Sequence, residues 1–171
     1  TGTVEADETY IGGRRERIPG VGPLELKTPV VTLVERDGEA RSQVVSDVTS
    51  KNIRQILWSN IDPDANLMTD ESKVYTGPGK VFASHETVDH SKEEWVRGDA
   101  HVNTGEGFFS QLKRSLDGTH HHVSRKHLHR YTSEFDFRYS NRKITDGERT
   151  VKAIRKSVGK RLKYRDSVAR P

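Results

Sequence analysis

Apolar residues in this chain recur in two rhythms. Thr3 to Ile11 reads as a strand that Gly12-Gly13 stops, and the β-branched run Pro29 to Val34 reads as a second strand. Asp37-Gly38 is a hairpin turn signal, with Ala40 to Val48 as the returning strand. Ile53, Ile56, Leu57 and Ile61 then follow helical spacing behind a Ser50 cap, and Pro63 ends that helix. Asn66 to Asp70 is a short apolar strand ending on an acid. Tyr75 to Lys80 reads as a turn, and another strand is expected at Ser84–Val88. Beyond a polar loop over Ser91 to Ala100, a helix is expected from Asn103 to Leu116, ended by Gly118. A further helix, capped by Ser124, carries Leu128, Tyr131, Phe135 and Tyr139 on one face. Val151, Ile154, Val158 and Leu162 continue the helical rhythm, while Arg14 to Leu26 has the Gly, Pro and Arg content of a loop.

Three strands with an early hairpin, then alternation, predict an α/β fold: a mixed sheet flanked by helices with additional C-terminal helices, the order of a ribonuclease-H-like fold. Two parts are expected, a catalytic domain over residues 1–142 and a basic helical tail over residues 143–171.

Composition narrows the function classes. With 171 residues the chain can bury a core, yet only 31% is hydrophobic against 32% charged, so much of it lies at a surface or polar groove. There is no cysteine, which excludes a disulfide framework or a thiolate-bound metal in this stretch and suits a reducing cytoplasm. No apolar run approaches the ~20 residues of a membrane span, and no signal peptide opens the chain. The first residue is Thr1 rather than Met, so a piece of a longer protein is expected. The net charge of +4 is uneven: Lys143 to Pro171 holds ten Lys/Arg and three Asp/Glu, which leaves the preceding body at −3. An acidic body with a basic tail suits a protein that gathers cations at one place and a polyanion at another.

Three acids carry the candidate chemistry. Asp7 lies in mid-strand, on the face it shares with Glu5 and Thr9, where β propensity disfavours aspartate and a bound cation would compensate, although an edge strand with an exposed acidic face reads the same way. Asp70 sits at a strand end, where ligands collect in open α/β sheets, although a turn-forming Asp is the commoner case. Glu106 opens the third helix between Gly105 and Gly107; a capping box with Asn103 would explain it equally well. The flanking glycines, each about 1 kcal/mol worse than Ala in a helix, make sense where backbone approaches another element closely. Lys113 lies two helical turns further along the same face. Carboxylates brought together by folding would suit hard divalent cations, which phosphoryl transfer uses in pairs about 3.5–4 Å apart.

The segments Ala6-Asp7-Glu8-Thr9-Tyr10-Ile11-Gly12-Gly13, Thr69-Asp70-Glu71-Ser72 and His101 through Arg114 resemble the DDE-type transposases of a bacterial insertion-sequence group related to the eukaryotic Merlin elements. The likeness continues through Gly118 to Ser124, Lys126 to Leu128, Arg130-Tyr131 and Glu134 to Tyr139, and spans Val4 to about Arg142. It implies a ribonuclease-H-like catalytic domain that cuts and joins DNA during transposition, with Mg²⁺ or Mn²⁺ (two ions) as cofactor. It implies Asp7 and Asp70 as metal ligands. Members have an acid or Asn at the third position, so Asn103 and Glu106 both qualify, with Glu106 favoured as the better cation ligand. Gly105 stands where a branched aliphatic is usual, and Ser140 where Asn is usual.

Lys113, Arg114, His122, Arg125, Lys126 and Arg130 are the candidate DNA-phosphate contacts. The run His120-His121-His122 lacks the i, i+4 spacing of a helical zinc pair, so phosphate or local hydrogen bonding is the better reading. His101 suits an active-site or a structural role equally. The partners expected are element ends and target DNA, bound by a dimer because two ends must be brought together, in the bacterial cytoplasm at the nucleoid. Two other functions fit the same residues: a nuclease of this fold without strand transfer, and a decayed or domesticated transposase that holds DNA without cutting it.

Overall fold

The computed structural model describes residues 2–12, 27–92, 96–121 and 123–160. The loop expected over Arg14 to Leu26 lies outside them, as do His122 and Leu162. Strand β1 (Thr3–Ile11) forms where its sequence predicts it. Strand β2 (Thr28–Glu35) pairs with it antiparallel, from Val4 opposite Glu35 to Ile11 opposite Thr28. The run Pro29 to Val34 is apolar on both sides because both sides are covered: Val31 and Leu33 join one core cluster, Val30 and Val34 another.

In the hairpin the positive φ falls on Asp37 (61°), which tolerates the left-handed region better than most residues. The Gly38 N–H donates to the Glu35 carbonyl at 3.0 Å. Strand β3 (Ala40–Val44) is shorter than the predicted Ala40 to Val48. Pro29 is the cause. The Val45 N–H still reaches the Pro29 carbonyl at 3.1 Å, but proline has no N–H to return and the ladder stops.

Helix α1 (Ser50–Asn60) is capped by Thr49, whose Oγ1 accepts the Asn52 N–H at 3.4 Å; Ser50 is the first helical residue and not the cap. Ile53, Ile56 and Leu57 are buried as the spacing predicts, and Ile61 closes the helix before Pro63. Strands β4 (Asn66–Asp70) and β5 (Ser84–Val88) occupy their predicted spans. The turn expected at Tyr75 to Lys80 is instead helical: a single-turn α2 (Lys73–Thr76), then a 3₁₀ turn over Pro78–Val81. Buried Tyr75 anchors the first, and Pro78, well suited to a first helical position, opens the second.

The sheet order is β3-β2-β1-β4-β5, with β1–β4 and β4–β5 parallel and β2 running against its neighbours. This is a mixed α/β sheet whose strands follow along the chain in the order expected from the sequence. Helix α1 packs on one face with Ala6, Val31, Leu33 and Leu67. Helices α3 (Asn103–Ser115) and α4 (Leu128–Ser140) pack on the other with Val30, Val34 and Ala40.

Gly118 does not end the third helix. The chain continues through it in a π turn, Leu116–His120, and reverses at His121, whose φ is 53°. Ser124 precedes a 3₁₀ turn, Arg125–His127, without a capping bond from its side chain. The Leu128, Tyr131, Phe135, Tyr139 stripe is core: Phe108 meets Phe135 and Tyr139 edge-on at 5.1 and 5.0 Å between ring centroids.

Helix α4 also covers the sheet margin. Asp136 accepts the Ser42 N–H and Oγ–H, both at 2.7 Å, and the Ser140 hydroxyl accepts the Ala40 N–H at 3.0 Å. These bonds occupy donors that an edge strand would otherwise offer to another chain. Burial pushes the Asp136 carboxyl up to about 6, against the lowering effect of both Ser42 bonds.

The first compact unit ends at Ser140, and residues 141–171 form a second. In the second, helix α5 (Asp146–Ser157) opens with a capping box between Thr145 and Glu148. Val151 and Ile154, and Val158 just beyond, are exposed. Among the described residues no helix is long and apolar enough to cross a membrane.

Candidate active site

Two strands bring the first acids together. The parallel β1–β4 register pairs Val4 with Leu67 and Glu5 with Met68. Two residues further on, Asp7 and Asp70 stand at the same level, and period two points both to the α3 face of the sheet. Asp70 is the last residue of β4, and its Oδ1 accepts the Ser72 N–H at 3.1 Å. The turn role therefore coexists with a place level with Asp7. Asp7 is half-buried, with its Oδ1 accepting the Glu8 N–H at 2.7 Å.

Glu106 approaches from the first turn of α3. The expected capping box does not form: Val102 is the N-cap, its carbonyl accepts the Glu106 N–H at 3.0 Å, and Asn103 is already helical. Gly105 is buried against β1, and a Cβ there would stand 3.9 Å from the Asp7 Cβ, in ordinary contact. Helix and strand are thus close, but not so close that only glycine fits. Gly107 faces open space, so the close approach expected there is absent.

Electrostatics ties Asp70 and Glu106 to Asp7. Burial pushes the Asp7 carboxyl up to about 7; the Glu8 N–H bond opposes this, and the charges of Asp70, Glu8 and Glu106 add to it. Glu8 points to the other face of β1, where it accepts a hydrogen bond from the Tyr75 hydroxyl at 2.5 Å. Its carboxyl is also raised, by burial first and then by Asp70, while the Tyr75 bond works against the rise. Tyr75, fully buried, is held well above its usual range by burial and by the neighbouring acids. Among the described residues, no three His or acidic side chains form a ready-made metal cluster. Asp7 and Asp70 nonetheless suit magnesium-type chemistry, because such ions take one or two carboxylates and keep several waters.

Glu5 and Tyr75 escape the sequence reading. Alternation places Glu5 beside Asp7 but does not reveal that it is 1% exposed and bonded to Arg36, Thr104 and Gly105. His101 stands beside this network, its Nδ1 3.2 Å from Glu5 Oε1 but buried without a hydrogen bond.

Lys113 and Arg114 are exposed in the last turn of α3. Lys113 lies roughly 10 Å along the axis from Glu106, from a rise of ~1.5 Å per residue. Arg125 and Lys126 are exposed in the 3₁₀ turn before α4, and Arg130 is half-buried in its first turn. The DNA contact expected of His122 lies outside the described residues. His120 packs edge-on against Tyr131, ring centroids 4.6 Å apart.

Residues 1–140 match the ISXO2-like transposase domain family. An uncharacterized protein in transposable element ISH50 of Halobacterium salinarum is 32% identical over 153 residues, covering 80% of this chain and 52% of that protein. The chain thus spans about half the length of that curated relative. Among solved structures, the Mos1 transposase paired-end complex with left transposon end is similar with a TM-score of 0.37 and 13% identity, over 80% of this chain and 53% of that one.

Proposed function

This chain belongs to the ISXO2-like transposase domain family, and on that footing we propose that it catalyses metal-dependent DNA cleavage and strand transfer at the ends of an insertion sequence. The observation that carries the reading is the pair Asp7 and Asp70, level with each other on one face of β1 and β4, with Glu106 within reach of their charge. Asp7, Asp70 and Glu106 would hold two Mg²⁺ or Mn²⁺ ions. When bound, such ions activate the attacking oxygen and stabilise the leaving oxygen of an in-line displacement.

The protein's own groups do the rest. Asp7 gives up its proton to act as a ligand, and neighbouring negative charge, unfavourable without a cation, becomes favourable beside one. Asn103, on the exposed side of α3 one turn before Glu106, is the other candidate for the third position. Lys113 sets a phosphate by charge, and Arg114, Arg125, Lys126 and Arg130 track the DNA backbone with salt-sensitive contacts. Joining two element ends calls for a dimer on DNA. Acting on element ends in chromosomal DNA, the protein would work in the cytoplasm at the nucleoid.

The test supplies a pre-cleaved donor end, target DNA and Mn²⁺. Joining by the wild type, reduced at least about a hundredfold in Asp7→Asn and Asp70→Asn, supports the proposal. Cleavage of an intact end without joining would indicate a nuclease. DNA binding with neither reaction would indicate a binding module.

A further inference from the structure

Glu5 is a buried carboxylate in the middle of a strand, its side chain 0% exposed. Such a group is costly unless its oxygens are paired. Its pairing joins three segments. Oε1 accepts from Arg36 Nε at 2.7 Å and from the Thr104 hydroxyl at 2.9 Å, and Oε2 accepts the Gly105 N–H at 2.9 Å. Arg36 also donates from its terminal nitrogen to the His101 carbonyl at 3.0 Å, and its backbone N–H donates to Thr3 at 3.0 Å.

The residue at the head of α3, Val102, has no polar side chain to cap the helix. Gly105 is the third helical residue, whose N–H is a usual target of a cap. Glu5 therefore supplies from β1 what helices normally draw from their own chain. A cap borrowed from a strand also fixes where the helix begins relative to that strand. Asp7 lies two residues beyond Glu5 on the same face, and Glu106 is the residue after Gly105. At Gly105 a Cβ would be 3.9 Å from both Glu5 Oε2 and the Asp7 Cβ, so the turn that carries Glu106 is held against the stretch of β1 that carries Asp7.

We propose that Glu5 is a positioning residue: its carboxylate clamps the first turn of α3 to β1 and so delivers Glu106 to Asp7. The proposal rests on the metal-site reading above for its consequence, but not for the clamp itself. The charge form matters because both oxygens accept. The amide of Glu5→Gln has one acceptor oxygen and turns its NH₂ toward a donor, either Arg36 or the Gly105 N–H.

Two measurements test it. In the metal-free chain, amide hydrogen exchange at Gly105 should quicken about tenfold or more in Glu5→Gln, with amides of α1 and the β2–β3 hairpin unchanged. Unchanged exchange at Gly105, or equal acceleration everywhere, overturns the clamp. If Glu5→Gln does not fold, Thr104→Val, which removes one of the donors, is expected to move exchange in the same direction by less. The second measurement is a Mn²⁺-affinity cycle of wild type, Glu5→Gln, Glu106→Gln and the double variant. Each single change should weaken binding about tenfold, as loss of outer support for a metal site does, with the double no weaker than Glu106→Gln alone. Additive losses would mean that Glu5 acts apart from Glu106 and would overturn the proposal. Should the wild type bind no Mn²⁺, the metal-site reading fails while the exchange result still decides the clamp.

Discussion

Asp7 combines a strand position, partial burial and three acidic neighbours, and its carboxyl is held up to about 7 as a result. On the proposed reading Asp7 is a metal ligand and must be ionised, so this raised value makes cation affinity depend on pH. Mn²⁺ affinity should be nearly constant above pH 8 and fall below pH 7, by up to about tenfold per unit, as the proton competes for Asp7. Titrations at pH 6, 7 and 8 check this, and a flat profile would detach Asp7 from the cation site. Gly105 gives a second prediction. A Cβ there meets only ordinary contacts at 3.9 Å, and alanine favours helix over glycine. Gly105→Ala should therefore keep the fold and raise stability by about 0.5–1 kcal/mol in urea unfolding. A loss of stability would mean that the helix and β1 are too close for a side chain. Asp7 and Asp70 could be picked out in the sequence as candidates because an acid in mid-strand, or at the end of an apolar strand, calls for an explanation. Glu5 was not, since its meaning depends on Arg36, Thr104 and Gly105, which only tertiary folding brings to it.

Among the elements, strands whose limits are set by their own residues were read to the residue at Thr3–Ile11 and Asn66–Asp70, and closely at Ser84–Val88. Those whose limits depend on a partner were not. β3 stops at Val44 because the strand beside it runs into Pro29, a fact of pairing and not of its own composition. Gly-Pro-Gly near Lys80 signals a turn equally in a loop or in a 3₁₀ helix, and packing of Tyr75 decides for the helix. The bond between α4 and β3 makes a prediction at this scale. Asp136 is held up to about 6 in the folded chain, above its ordinary value of 3.8, so the folded state binds the proton more tightly than the unfolded one. Its contribution to stability therefore declines as pH rises from about 4 to 6 and stays low above that. The difference in urea midpoint between wild type and Asp136→Asn should vary across this window and level off above it. A constant difference from pH 4 to 7 would show that Asp136 titrates normally.

For the whole molecule, topology does what no segment can do alone. The crossover from β3 through α1 lays β4 parallel beside β1 and sets Asp7 and Asp70 at one level, and the return of the chain through α3 brings Glu106 to the same face. The order of strands and helices was visible in the sequence, and with it the fold. The register was not, because it follows from which apolar residues meet across the sheet. The most direct test of a shared cation site is a calorimetric titration of Mn²⁺ at pH 8 into this chain and its Asp7→Asn and Asp70→Asn variants. The account predicts that each substitution alone weakens binding at least about tenfold, because each removes a ligand of the same ion. Binding unchanged in either variant would mean that the two acids do not share a cation, and would contradict the catalytic reading.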